Sequence, residues 1–308
     1  MSTLDKIEEL QALLKEDAFN FQARRELAFL LVDSGYNEEA LTNLLLLTRH
    51  TNNDAEIYYN LGIVYEKLKQ FDKAEEVYLR SVELKPDEMD FVYNLGFVQM
   101  ELKKYPEAIN CFNTVIQNDP QDSNSYFNLG LVHFKMNDYA TAISYFQQRI
   151  DINDEDIYAH FYIGNILKEF GDLDGARDAF NKVLELDPDY SWAYYNLAVI
   201  DYEQENYEDA VTNLQNTIDL NPADEQAYKI LSQIFYNSGN DDQALNVLQE
   251  AMSYCEDSGD LYYMAGIISK NMEDYDSAVE YFNQALEHPN NLNVSKRTIK
   301  EELKLLQG

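Results

Sequence analysis

Histidines, cysteines and paired carboxylates are the residues of this 308-residue chain that could hold a metal or attack a substrate. There are four histidines and two cysteines. His133 and His160 are the pair of interest, because two neutral imidazoles can begin a zinc site. No third ligand accompanies them. Cys111 and Cys255 stand far apart with no CxxC spacing, a usage that suits a reducing compartment better than a disulfide framework. The sequence lacks phosphate-loop, dinucleotide, HExxH and GxSxG signatures. Its carboxylates are abundant but scattered, and no two stand out as an acid–base dyad. The expectation is no catalytic residue, no metal and no cofactor: the chain is not read as an enzyme.

The elements that would carry any site follow from an internal repeat. Ala28, Gly62, Gly96, Gly130, Gly164, Ala198, Ser232 and Gly266 are each 34 residues apart, and so are Ala40, Ala74, Ala108, Ala142, Ala176, Ala210, Ala244 and Ala278. Two columns of small residues kept in register over eight units require close helix approach, where a larger side chain would push neighbours apart. Within a unit, Ile57, Tyr58, Leu61, Val64, Tyr65 and Leu68 follow the helical period. A polar turn at Lys69-Gln70 precedes a second helix around Ala74, Val77, Tyr78 and Val82. Pro86, Pro120, Pro188 and Pro222 share the column that ends the second helix. His133 and His160 occupy aromatic columns of adjacent units.

The terminal stretches read as caps for an array whose end faces would otherwise be bare. Leu4, Ile7, Leu10 and Leu14 form one stripe, with Ser2 and Asp5 as a capping box. Ile299, Leu303 and Leu306 form the other. The count expected is eighteen helices.

These columns resemble the tetratricopeptide repeat. Tyr58-Leu61-Gly62-Tyr65 followed by Ala74-Tyr78-Pro86 matches its pattern in full, and Tyr194-Leu197-Ala198 followed by Ala210-Leu214-Pro222 matches closely. The pentatricopeptide repeat is a poorer fit, being one residue longer and basic on its binding face. The resemblance implies an all-α fold: a right-handed α-solenoid (TPR superhelix) of antiparallel helix pairs with N- and C-terminal capping helices. The expected organisation is a cap at 1–20, repeats at 21–54, 55–88, 89–122, 123–156, 157–190, 191–224, 225–258 and 259–290, and a cap at 291–308.

In the resembling family the first helices line a concave groove that takes peptides. Here one groove column holds Asn60, Asn94, Asn128 and Asn196, whose amides could grip a peptide main chain. Its neighbour holds Tyr59, Tyr93, Phe127, Phe161, Tyr195 and Tyr263. Tyr158 and Trp192, the only tryptophan, take a column that is polar in other units. Lys168 and Lys229 would neutralise an acidic side chain of the ligand. The family's two-carboxylate clamp is not expected, because its first lysine place holds Tyr59, Tyr93 or Phe127.

The formal charge of −33, from 56 acids against 23 bases, repels phosphate backbones and anionic lipid heads. No nucleic acid and no membrane partner is therefore expected. The longest aliphatic run, Leu44 to Leu47, is far short of a membrane span, and the opening MSTLDKIEEL does not read as a secretion signal. The expected location is cytoplasmic. The function expected is that of an interaction scaffold holding an extended or helical peptide segment of a partner protein in the groove. The alternative is a structural array that self-associates through its ends or rims, as a homo-oligomer.

Overall fold

The thirty-four-residue spacing reappears as helix starts in the computed structural model, which describes residues 2–307. Eighteen α-helices occur among the described residues, and the only β pairing among them is an isolated bridge between Ser258 and Asn290.

The chain divides into two compact units, the first ending at Ala159 and the second beginning at His160. The first holds α1 (Thr3–Glu16), α2 (Phe21–Asp33), α3 (Asn37–Thr48), α4 (Ala55–Lys67), α5 (Phe71–Leu84), α6 (Met89–Glu101), α7 (Tyr105–Asn118), α8 (Ser123–Lys135) and α9 (Tyr139–Ile152). The division falls inside α10 (Ile157–Glu169). The second unit continues with α11 (Leu173–Leu186), α12 (Ser191–Glu203), α13 (Tyr207–Leu220), α14 (Glu225–Asn237), α15 (Asp241–Tyr254), α16 (Gly259–Asn271), α17 (Tyr275–Glu287) and α18 (Lys296–Gln307). Within each unit, successive helices pack side by side as the hairpins of an α-solenoid, and in the first unit α2 also packs on α4 and α6 on α8.

Each hairpin closes around a size match. The column alanines, from Ala40 to Ala278, are all fully buried. The glycines of the first helices lie directly under a ring of the second. A Cβ on Gly62 would stand 2.3 Å from the Tyr78 ring, on Gly130 2.5 Å from Phe146, on Gly164 2.8 Å from Phe180, and on Gly266 2.7 Å from Phe282. Gly96 sits against Cys111 and Phe112 in the same way. Where the facing column carries Leu44, Leu214 or Leu248, the first helix carries Ala28, Ala198 or Ser232 instead. Total volume across the seam is thus kept near constant, as close packing demands.

The turn inside each hairpin is also invariant. Gly35, Lys69, Lys103, Asn137, Gly171, Glu205, Gly239 and Glu273 share one column, and all have φ between 56° and 79°. This left-handed residue lets the next amide reach back, as Tyr36 N–H does to Leu31 O at 2.9 Å and Gln70 N–H to Tyr65 O at 2.8 Å. The otherwise orphaned carbonyls of the helix end are satisfied. Lys69, Lys103, Glu205 and Glu273 adopt a conformation that costs roughly 1 kcal/mol outside glycine. The geometry, and not the residue type, is what repeats.

At the N-terminus the capping box forms: Asp5 N–H donates to Ser2 Oγ at 3.1 Å, and Ser2 N–H to Asp5 Oδ2 at 2.8 Å. Ile7 and Leu10 are buried, while Leu4, one turn earlier, stays 59% exposed. In α18, Ile299 and Leu303 close the other end.

Candidate peptide-binding surface

The exposed face of the first helices, where the expected groove columns lie, carries three of the cavities, while larger ones of about 500 Å³ and about 440 Å³ lie at the turns around Cys255 and along α5. In the first unit Gln22, Arg25, Glu26, Phe29, Leu30 and Asp33 of α2 line a cavity of about 360 Å³. In the second unit Phe161, Asn165, Tyr190, Trp192, Tyr195 and Asn196 line one of about 400 Å³, and Ser232, Gln233, Tyr236, Tyr263, Met264, Ile267 and Ile268 one of about 270 Å³.

The asparagine column is engaged within the array. Asn94 donates to the Tyr59 hydroxyl at 3.0 Å and Asn128 to the Tyr93 hydroxyl at 2.7 Å, each reaching back thirty-five residues. The residues thirty-five before Asn60 and Asn196 are Arg25 and Phe161, which offer no hydroxyl. Those two amides fold back on their own helix, Asn60 to Glu56 O at 2.8 Å and Asn196 to Trp192 O at 2.7 Å. Asn128 and Asn196 are almost wholly buried. A column that reads as a ladder for ligand main chain therefore also stitches successive hairpins together.

The lysines differ from one another. Lys168 donates to Asn196 Oδ1, and burial holds its ammonium pKa below the ordinary lysine range despite Glu203 and Glu169 nearby. Lys229 is bound between Glu225 at 2.5 Å and Asp260 at 3.0 Å, so its charge is spent inside the array. The Arg25 guanidinium likewise joins Asp54 and Glu56 across hairpins.

The aromatic residues gather at one place in the second unit. Phe161, Trp192 and Tyr195 share the 400 Å³ cavity, with Trp192 54% exposed and its ring 6.4 Å from Tyr195, edge to face. Tyr158 belongs to the first unit, where its ring meets Phe127 at 6.5 Å. Tyr190 and Asn165 complete the cavity and were not singled out in the sequence. Tyr190 has a legible signal. It takes the N-cap column that Asn20, Asp54, Asp122 and Asp224 use to accept a helix amide, and α12 has no side-chain cap hydrogen bond. Helices α6 and α16 also lack a side-chain cap, but their column residues, Glu88 and Ser258, carry an oxygen, whereas α12 has a ring there, at a candidate site.

Two of the candidate chemical residues, His133 and Cys111, are held within the fold. His133 Nδ1 lies 2.9 Å from Asp138 Oδ2, and its ring packs beside Tyr145. Burial pushes the Cys111 thiol up to about 11, too high for a thiolate at neutral pH. Among the described residues no three His, Cys, Asp or Glu are grouped to hold a metal.

Tetratricopeptide-repeat models match residues 55–88, 123–156, 167–234 and 259–287, and a TPR-repeat model matches 99–137. The chain belongs to the tetratricopeptide-repeat family. Among solved structures it is similar to residues 41 to the end of MamA from Desulfovibrio magneticus RS-1, with 28% identity over 55% of this chain and 96% of that one, TM-score 0.52. Two likenesses of lower identity bear on the fold alone. The C-terminal part of a TPR repeat-containing protein from Cytophaga hutchinsonii is 17% identical over 75% of this chain and 95% of its own, TM-score 0.64. A tetratricopeptide-repeat protein from Parabacteroides merdae is 19% identical over 82% and 99%, TM-score 0.56. No curated protein matches the sequence. Tetratricopeptide-repeat proteins are protein-interaction scaffolds. In this TPR chain no helix among the described residues is long and apolar enough to cross a membrane.

Proposed function

We propose that this TPR chain is an interaction scaffold that holds a peptide segment of a partner protein on its first-helix face, anchored at the cavity of Phe161, Tyr190, Trp192 and Tyr195. The observation that carries this reading is the exposed Trp192 beside three other rings. Binding energy concentrates in large aromatic side chains that become buried on association. Lys229 is left out of the proposed site, since its ion pairs are internal.

The test is selection of a displayed peptide library on the full chain, followed by calorimetry of the best peptide against Trp192→Ala. The substitution should weaken binding by about 2 kcal/mol or more and leave helicity and melting unchanged. A selected peptide that binds the variant as tightly as the parent would remove the anchor from this cavity.

One observation favours the second reading, self-association through the ends. Leu4 of α1 and Leu305 of α18 are 59% and 74% exposed on the terminal helices. Sedimentation velocity over a concentration series, with Leu4→Glu and Leu305→Glu as controls, separates the two readings.

A further inference from the structure

The Trp192 cavity also discriminates among partner side chains, granted that it is the anchor. Its walls are four rings and the amides of Asn165 and Asn196. Phe161 meets Tyr190 edge-on at 5.3 Å between centroids, and Trp192 meets Tyr195 edge-on at 6.4 Å. An edge-to-face pair leaves ring faces turned elsewhere, and a ring face is the negative end of its quadrupole. Such walls attract a cation more strongly than a neutral group of equal size.

Lys168 apart, the charges around the cavity are negative. The turn that leads to Tyr190 and Trp192 reads Asp187-Pro188-Asp189, and neither carboxylate is in an ion pair among the described residues. Burial and then the Asp224 carboxylate raise the Tyr195 phenol pKa, a sign of negative potential at that wall. Residues 160–308 carry nine lysines and arginines against twenty-eight aspartates and glutamates. Arg177 is tied to Asp201, Lys182 to Glu185, Lys229 to Glu225 and Asp260, and Lys270 to Glu302. Lys168, at the cavity edge, gives its ammonium to Asn196 Oδ1 and is offset by Glu203 and Glu169.

We infer that the cavity takes a cationic side chain, arginine or lysine, from a basic segment of the partner protein. The guanidinium or ammonium lies against the ring faces, its donors reach the Asn165 amide at the rim, and the acidic surroundings draw the segment in.

Trp192 is the only tryptophan, so its fluorescence reports on this cavity directly. The full chain is titrated with a Gly/Ser-rich peptide bearing one arginine, with its lysine, citrulline and leucine counterparts, and with tetramethylammonium chloride against matched sodium chloride. The arginine and lysine peptides and tetramethylammonium should shift the emission. Citrulline and leucine should bind roughly tenfold more weakly, and Tyr195→Leu should abolish the difference. A leucine or citrulline peptide that binds as tightly as arginine overturns the cation preference and leaves the anchor reading standing. If neither these peptides nor a library-selected ligand moves the emission, the anchor reading falls with it.

Discussion

The side-chain amide of Asn128 donates to the hydroxyl of Tyr93, one hairpin earlier, at 2.7 Å. Asn128 is 5% exposed, so its N–H has little access to water once that hydroxyl is gone. Tyr93→Phe should therefore cost about 1–3 kcal/mol, the price of an orphaned buried donor. Tyr195→Phe is the control, because the residue thirty-five further on is Ile230, which has no amide. Urea unfolding that gives equal losses for the two would mean that the bond carries no weight.

Gly62 and Tyr78 make a second pair that can be tested. In an open helix Gly→Ala gains about 1 kcal/mol, but here the new methyl would strike a fully buried ring. Gly62→Ala should destabilise by roughly 1–3 kcal/mol. In a Tyr78→Leu background the same change should be neutral or favourable, because Ala198 already sits over Leu214 in that arrangement. A double-mutant cycle with no coupling would contradict the size match.

Tyr190 stands where other hairpins place a capping oxygen. Tyr190→Asp should raise stability by about 1 kcal/mol through a new N-cap on α12 and weaken ligand binding at the Trp192 cavity. The opposing signs are the signature of a residue kept for binding. Melting and affinity measured on the same variant decide the matter, and a gain in both would show the ring to be dispensable.

Acid sensitivity should differ between two half-buried glutamates. Burial pushes the Glu225 carboxyl up, yet the Lys229 ammonium at 2.5 Å and the Asn291 amide at 2.9 Å outweigh it, and the net position is below the ordinary range. A depressed folded pKa contributes stability above the ordinary value and loses it as pH falls through the folded one. For Glu66, burial dominates and the net position is raised, despite the Tyr78 hydroxyl bond at 3.1 Å. Its contribution has the opposite sign: the folded state gains as pH falls toward the ordinary range. Between about pH 7 and pH 3, Glu225→Gln should flatten the acid loss of urea midpoint, and Glu66→Gln should raise the neutral value while steepening the acid limb. A Glu225→Gln chain with the parent's acid slope would refute the first half.

Fold class and helix register were legible because small residues at close contacts leave an unambiguous period. The Gly62–Tyr78 relation was present as two columns sixteen apart, but nothing in the chain says which columns touch until the hairpin is closed. The left-handed turn was half hidden. Gly35, Asn137, Gly171 and Gly239 announce it, while Lys69, Lys103, Glu205 and Glu273 do not. At the candidate site, Phe161, Trp192 and Tyr195 were found by being aromatic in a groove column, and Tyr190 was missed because its meaning lies in the capping oxygen it lacks. The asparagines were readable as polar, but their partners, Tyr59 and Tyr93 in one case and their own helix in the other, depend on what stands thirty-five residues back.

The glycine–ring and alanine–leucine matches also sort the hairpins into two kinds. Helices α4, α6, α8, α10 and α16 carry glycine for a ring, and α2, α12 and α14 carry a larger residue for a leucine. A nascent chain of near-identical hairpins can mispair a first helix with the wrong second helix. Here α12 set against α11 in place of α13 would drive the Ala198 methyl into the Phe180 ring, and α10 set against α13 would leave a void above Leu214. The change of volumes along the array therefore disfavours slippage between neighbouring hairpins, most where the kinds change, at α2 to α4, α10 to α12 and α14 to α16.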